Sequence, residues 1–478
     1  MADNLQAVIA TNRFGLGARP GELATVKSDP RGWLKAQLNG SRPIPAIIKN
    51  LSPSDEIFRA QVAALKERLE AQKAAADSDG AAKPGAGLKR NVIMENFLGQ
   101  VAARYQVATH TTESFRERLI HFWTNHFAVS MDKVAVAAMA GTLENEAIRP
   151  NLHLSFYDLL LAAESHPAMI LYLDNQMSMG PNSQVAQLAK RRANLKRKFD
   201  INENLGREIL ELHTLGVSGG YTQTDVTHFA TALTGWSIVG EQGGFAAANR
   251  LAKDSDSLDG KFLFREGLHE PGAQTVLGKR YNESGIDQPK AILKDLSRHP
   301  ATASFIATKL ARHFIADEPP AAAVTRIAKA FRDSEGHLPT VHAAVVDSVE
   351  GWASTPAKFK TPHEFVVSTF RALDYLPDKP LLILQPFESL GQAPFSPGSP
   401  AGWADIAGRW DGSDALMKRI EWATQVAQKL GGRISPVQLA ERSLGDALGE
   451  HTRMALNGAA DGVQGTTLWL VSPEFQRR

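Results

Sequence analysis

Three carboxylates, an arginine and a histidine crowd into Asn202-Glu-Asn-Leu-Gly-Arg-Glu-Ile-Leu-Glu-Leu-His-Thr-Leu-Gly-Val217. An ordinary core helix has no need of so many ionisable groups in about four turns, so chemistry is expected here first. Asn204, Glu208 and Glu211 stand at i, i+4 and i+7 and share one helix face. Two carboxylates on one face can hold a hard divalent cation, or act as a general acid and base. Arg207 can orient either of them. At about 100° per residue, His213 lies about 160° round the helix from Glu211 and about 140° from Glu208. It is therefore expected off the carboxylate face, and the Glu-x-x-His spacing of di-iron bundles is not met. The competing reading is structural: Glu203–Arg207 and Arg207–Glu211 are i, i+4 ion pairs, and Glu208 meets an arginine from another helix.

A partner from outside that helix is needed for chemistry. His269 stands beside Glu270 and is followed by Gly272 in an irregular stretch, and loops carry function more often than helices do. It is expected as a base or ligand that joins Glu208 and Glu211; the alternative is a solvent-exposed turn residue. Asp225 follows Thr222 by three and suits a capping box, with an acid or ligand role as the alternative. His121 shares a face with Asn125 and is a further metal candidate. His126 falls on the apolar stripe of Phe115, Leu119 and Phe122, and is expected as a core histidine with a buried partner. His-Glu-x-x-His, Gly-x-Ser-x-Gly, a phosphate-binding P-loop and a dinucleotide fingerprint are all absent. With no cysteine, any metal must be held by His, Asp, Glu or backbone oxygen.

The elements that position these residues are mainly helical. Residues 1–73 read as helices and loops, ending in a charged helix from Asp55 to Lys73. Residues 74–91 are low in complexity and read as a flexible loop. Residues 92–236 form the central helical core: two helices over 92–128, the second capped by Thr111 or Thr112, then helices near Val134–Ile148 and Phe156–Ala163. His166-Pro167 breaks one helix and opens the next. Residues 176–200 are loop-like, with a basic cluster from Lys190 to Lys198 that reads as a solvated face. The glutamate-rich helix closes at Gly216 as a C-cap. Residues 237–285 lose helical periodicity and form a small irregular or β insertion, with a short strand at Lys261-Phe-Leu-Phe-Arg265. Helices resume through 286–376, residues 377–403 are a Pro/Gly-rich loop or linker, and two or three helices complete 404–478. No regular internal repeat is present.

Composition is that of a soluble globular protein: 22% charged, 43% hydrophobic, formal net charge +2 over 478 residues. That near-neutral balance argues against a nucleic-acid partner. No apolar run is long enough to span a bilayer. The N-terminus as written lacks a signal peptide, so the chain as it stands is expected to be cytoplasmic.

Several long motifs occur in order. They include Arg13-Phe-Gly-Leu-Gly-Ala-Arg-Pro-Gly-Glu22, Phe122-Trp-Thr-Asn-His-Phe127, His166-Pro-Ala-Met-Ile-Leu-Tyr-Leu-Asp174, the segment from Asn202 through Thr234-Gly-Trp236, and Lys309-Leu-Ala-Arg-His-Phe-Ile-Ala-Asp317. In these the chain resembles the domain of unknown function 1800 family over nearly its whole length. The resemblance implies one mainly helical bacterial protein of unassigned activity. It also implies an exported location for many relatives and a sulfatase-like companion protein. At His269-Glu-Pro-Gly-Ala-Gln274 the family pattern is His-Asp, then Gly, then Lys, so Glu270 and Gln274 are departures. The expectation is an enzyme with a carboxylate and histidine site that uses a divalent metal. The other class is a non-catalytic helical scaffold that binds a partner protein or an envelope polymer.

Overall fold

The computed structural model describes residues 2–76, 86–191, 200–240, 260–432 and 434–478. The fold is mainly α. Its named strands form two small antiparallel ribbons, Trp236–Ile238 with Phe262–Phe264, and Gln274–Val276 with Lys279–Tyr281. Both fall in the expected insertion, whose residues 241–259 lie outside the described part. One contiguous apolar core runs from Ala7 to Phe475, so both ends of the chain contribute to it. No helix among the described residues is long and apolar enough to cross a membrane.

The Ser114–His126 helix is central. Phe115, Leu119, Phe122 and His126 are all buried, as their spacing predicts. Its N-terminus differs from expectation. The Thr111 hydroxyl accepts from the Glu113 amide, and Glu113 stands at the cap position with its side chain turned to Arg42 rather than capping the helix. The orphan amides of Phe115 and Arg116 are taken instead by the side-chain oxygen of Gln37, brought in from elsewhere in the fold. Where capping is local, the sequence foretells it. Thr222 and Asp225 form a reciprocal capping box, and His166 opens the Pro167–Tyr172 helix.

Other boundaries move. The loop expected over 74–91 is helical where it is described: Ser54–Ala76 ends within it and Ala86–His110 begins within it, while 77–85 lie outside the described residues. Residues 134–141 are turns rather than helix, because Gln100 bonds both Ala138 O and the Gly141 amide and so satisfies the segment without a helix ladder. Helices Gln184–Arg191 and Pro380–Ser389 occupy segments expected to be loops, and residues 192–199 of the basic cluster lie outside the described part. Among the described residues five α-helices run from Ser413 to Gln476 where two or three were expected.

Among the described residues three wider π-turns interrupt the helices, at Ile9–Phe14, Leu143–Ile148 and Ile209–Thr214. Such turns cost regular hydrogen-bond geometry and gather at functional sites. The third lies inside the glutamate-rich segment, so a simple α-helical wheel fails across it. Its closing glycine is required on two counts. Gly216 has φ 81°, and a Cβ there would sit 2.7 Å from the ring of Phe305.

Candidate functional site

A cavity of about 350 Å³ lies between the Ser114–His126, Pro300–Phe314 and Pro362–Leu373 helices. Arg118, His121 and His126 reach it from the first of these. Lys309, Arg312 and His313 reach it from the second, at i, i+3 and i+4 on one face. His363 and Glu364 come from the first turn of the third, beside Arg104 and Tyr105 of Ala86–His110. The loop over 392–406 covers it with Phe395, Trp403 and Asp405. Asn125 fixes that loop by bonding both the Trp403 carbonyl (2.9 Å) and the Trp403 amide (2.7 Å).

Four lining cations face two lining carboxylates, and most of these charges are already committed. Glu364 pairs with Arg118 and with Arg478 Nη2 (2.6 Å). Asp405 pairs with His313 Nδ1 (2.6 Å) and Lys358 Nζ (3.0 Å). Arg104 pairs with Glu144 (3.2 Å) and lies 4.8 Å over the Phe395 ring. Arg312 gives its Nε to Asp317 O (3.1 Å). Lys309 makes no hydrogen bond or ion pair among the described residues; its Nζ lies 5.5 Å from the Phe305 ring centroid. Burial, opposed by Asp405 and aided by Arg312, lowers its pKa to about 8.

The histidines differ in what they can offer. His313 is held between Asp405 and the Nε of Arg118, which donates to its Nε2 (3.1 Å), and burial lowers its pKa to about 4. His363 is bonded at both nitrogens, to the Tyr105 hydroxyl (3.2 Å) and to His121 Nδ1 (3.0 Å). His126 is different. Its Nε2 lies 3.1 Å from the carbonyl of His213, which can only accept, so Nε2 carries the proton. Burial, and then the charge of Lys309, hold this ring well below its ordinary pKa. Its Nδ1 is thus a bare lone pair, buried and without a partner.

At the cavity wall, His121 with Glu117 and Glu144 brings one ligand atom each within 4.8 Å of one another, an arrangement of metal-site type. Arg149 binds Glu117 through two bonds (2.6 and 2.7 Å) and lies 3.7 Å from Glu144, which also pairs with Arg104. Two carboxylates and two guanidiniums balance without an ion. That balance, led by the Arg149 charge against the cost of burial, holds the Glu117 carboxyl well below the usual range.

The residues singled out from sequence are placed elsewhere, except His121 and His126. Glu208 and Glu211 are half-buried and do not line the cavity. Burial, with the neighbouring Glu211 adding to it, raises the Glu208 pKa. Glu211 accepts from the Tyr221 hydroxyl (3.1 Å), and Arg207 pairs with Glu203 (2.9 Å). His213 is fully buried 2.7 Å from Glu164, and its charge still reaches Glu208. His269 Nδ1 bonds the Thr234 carbonyl (3.0 Å), and burial lowers its pKa. The charges of Glu270 and Glu266 oppose that shift, and no hydrogen bond or ion pair among the described residues joins His269 to Glu208 or Glu211. Glu270 is held by the Asn182 amide and side chain, which pins the insertion to the loop after Gly180. Asp225 caps its helix and also accepts from the Leu277 amide (2.7 Å). Lys309, Arg312, Glu364 and Asp405 were missed. The Lys309-Leu-Ala-Arg-His313 spacing was the available signal, since it puts three basic groups on one helix face.

A family model described as a protein of unknown function, DUF1800, matches residues 9–477. No curated protein and no solved structure matches the chain.

Proposed function

The chain belongs to the DUF1800 family of proteins of unknown function, and we propose that it is an enzyme acting on a small anionic substrate in the cavity beneath the 392–406 loop. Lys309 carries this reading. A cation turned into a walled space with no partner is costly unless something negative fills that space. The Nη groups of Arg312 stand one turn away. His126 Nδ1 supplies a proton acceptor held in one tautomer, the property a general base needs. The neighbouring pairs Glu364–Arg118 and Asp405–His313 keep the walls rigid, so the charges are positioned before substrate arrives.

The test is calorimetric titration of the whole chain with inorganic phosphate, sulfate and small carboxylates. Binding of at least one is expected, and Lys309→Gln should weaken it about tenfold to a hundredfold, the worth of about 1.5–3 kcal/mol for a bond to a charged group. Saturable binding that is unchanged by Lys309→Gln, or no binding at all, removes the proposal.

A second reading keeps Glu208 and Glu211 as an acid–base pair or as ligands for a divalent metal. Its support is the raised pKa of Glu208, set mainly by burial. Arg207 would orient the pair, and His269 or Asp225 would have to approach by movement of the insertion. Loss of activity in Glu208→Gln, with stability kept, favours this reading; unfolding favours the scaffold role. The sulfatase-like companion and an exported location are further proposals, tested by co-purification and fractionation.

A further inference from the structure

We propose that Lys309 is a covalent site, whose amine condenses with the carbonyl group of a small anionic aldehyde or ketone while His126 Nδ1 handles the proton. This rests on the reading of the cavity as an anion pocket and names the substrate class.

Three observations converge. Lys309 lines the cavity and is spent on no ion pair, unlike Arg104, Arg118 and Lys358 nearby. His126 lines the same cavity, is 1% exposed, and has an unpartnered Nδ1 whose lone pair is fixed by the bond from Nε2 to His213 O. The two side chains meet at one ring: Phe305 lies 5.5 Å from Lys309 Nζ and 6.4 Å from the His126 ring. Phe305 is in turn seated against Gly216, where no side chain fits. A nucleophile, an adjacent base and a fixed geometry are the ingredients of amine catalysis. Arg312, on the same helix face, provides the cation for the substrate's anionic group.

The step balances within these groups. The neutral amine attacks the carbonyl carbon, forming a C–N bond while the C=O pair moves to oxygen. The ammonium nitrogen gives a proton to His126 Nδ1, and the imidazolium returns it to that oxygen. His126 then takes the second N–H proton and passes it to the hydroxyl as the C–O bond breaks, so that water leaves and a neutral imine remains. No oxidant or reductant enters. Burial supports the step, because an amine that titrates at about 8 is about one-tenth neutral at pH 7.

The probe is pyridoxal 5′-phosphate, used only as an aldehyde that carries a phosphate, with sodium cyanoborohydride to reduce any imine and peptide mass spectrometry to locate it. Lys309 is expected to label at least about tenfold faster than exposed Lys279 or Lys329, with half-maximal rate near pH 8. Inorganic phosphate should protect it, and pyridoxal without the phosphate should label more slowly. Lys309→Arg should abolish that label while keeping phosphate-induced thermal stabilisation; if the arginine does not fit, Lys309→Met should also lose the label, with phosphate binding weakened as in Lys309→Gln. His126→Gln should slow labelling without abolishing phosphate binding. Labelling spread evenly over exposed lysines, with phosphate still stabilising the protein, overturns the covalent site and leaves the anion pocket standing. Even labelling with no effect of phosphate overturns both.

Discussion

His342 offers a direct measure of how the buried interior depends on neutral histidines. Its Nε2 accepts from the indole N–H of Trp123 at 3.1 Å, so the ring must be neutral to make the bond. Burial, followed by the charges of Arg116 and His337, lowers its pKa from 6.5 to about 3. A depressed histidine means that the unfolded chain binds the extra proton. The stability it protects is therefore present above pH 6.5 and is lost as pH falls toward the folded value. Between about pH 7.5 and about pH 5 the unfolded state gains roughly 2 kcal/mol from this one ring, since each pKa unit is worth about 1.4 kcal/mol. His342→Gln keeps an oxygen acceptor for Trp123 and removes the titration. Its stability gap to the unsubstituted chain should narrow by about 2 kcal/mol over that pH range. Guanidinium unfolding, followed by tryptophan fluorescence and circular dichroism at both pH values, reads the gap. A gap that stays constant would refute the reasoning, because it would mean His342 is protonated equally in both states.

Three further outcomes follow from contacts described above. Glu117→Gln leaves Arg149 buried beside a neutral amide and should cost about 3–5 kcal/mol in denaturant unfolding; a loss under about 1 kcal/mol would show the network to be dispensable. Gly216→Ala forces a side chain into left-handed backbone and against Phe305, for roughly 2–4 kcal/mol of destabilisation, and should lower anion binding as Phe305 shifts; unchanged melting and binding would contradict the contact. Elemental analysis of the purified chain should find no stoichiometric divalent metal at Glu117, His121 and Glu144, since arginines already balance them. A metal that is lost in His121→Asn would prove that they yield to one.

How far the sequence leads depends on the range of each interaction. Helices with strong apolar periodicity and local caps are legible, such as Ala321–Asp333 and the Thr222–Asp225 box, because their determinants lie within one turn. The cap on Ser114–His126 is not, because Gln37 supplies it from far along the chain. The π-turn at Ile209–Thr214 is equally hidden. Site residues follow the same rule. Ionisable groups packed closely in sequence, as in Asn202–Val217, draw the eye, yet the cavity is assembled from single residues on separate helices. Lys309 is eloquent only by what it lacks, and lack of a partner is a property of three dimensions. Local reading does recover Asp225 as a cap, and His126 as buried with a partner, but not the ring nitrogen left without one.

The lid over the cavity is a loop whose anchor, Asn125, belongs to the floor. Gly402 is packed so closely on that anchor that a Cβ would fall 2.2 Å from the Asn125 carbonyl oxygen. The near end is held as well, by Gln392 on the His363 amide and by the Phe395 carbonyl on the Met131 amide, so the freedom to change in length or composition lies between Ser396 and Ala401. Floor and lid are separable in inheritance: reactive groups reside on helices that the core constrains, whereas the size of molecule admitted is written in a stretch that surface loops are free to vary. Among relatives, divergence in this one stretch would alter what is accepted without disturbing how it is handled.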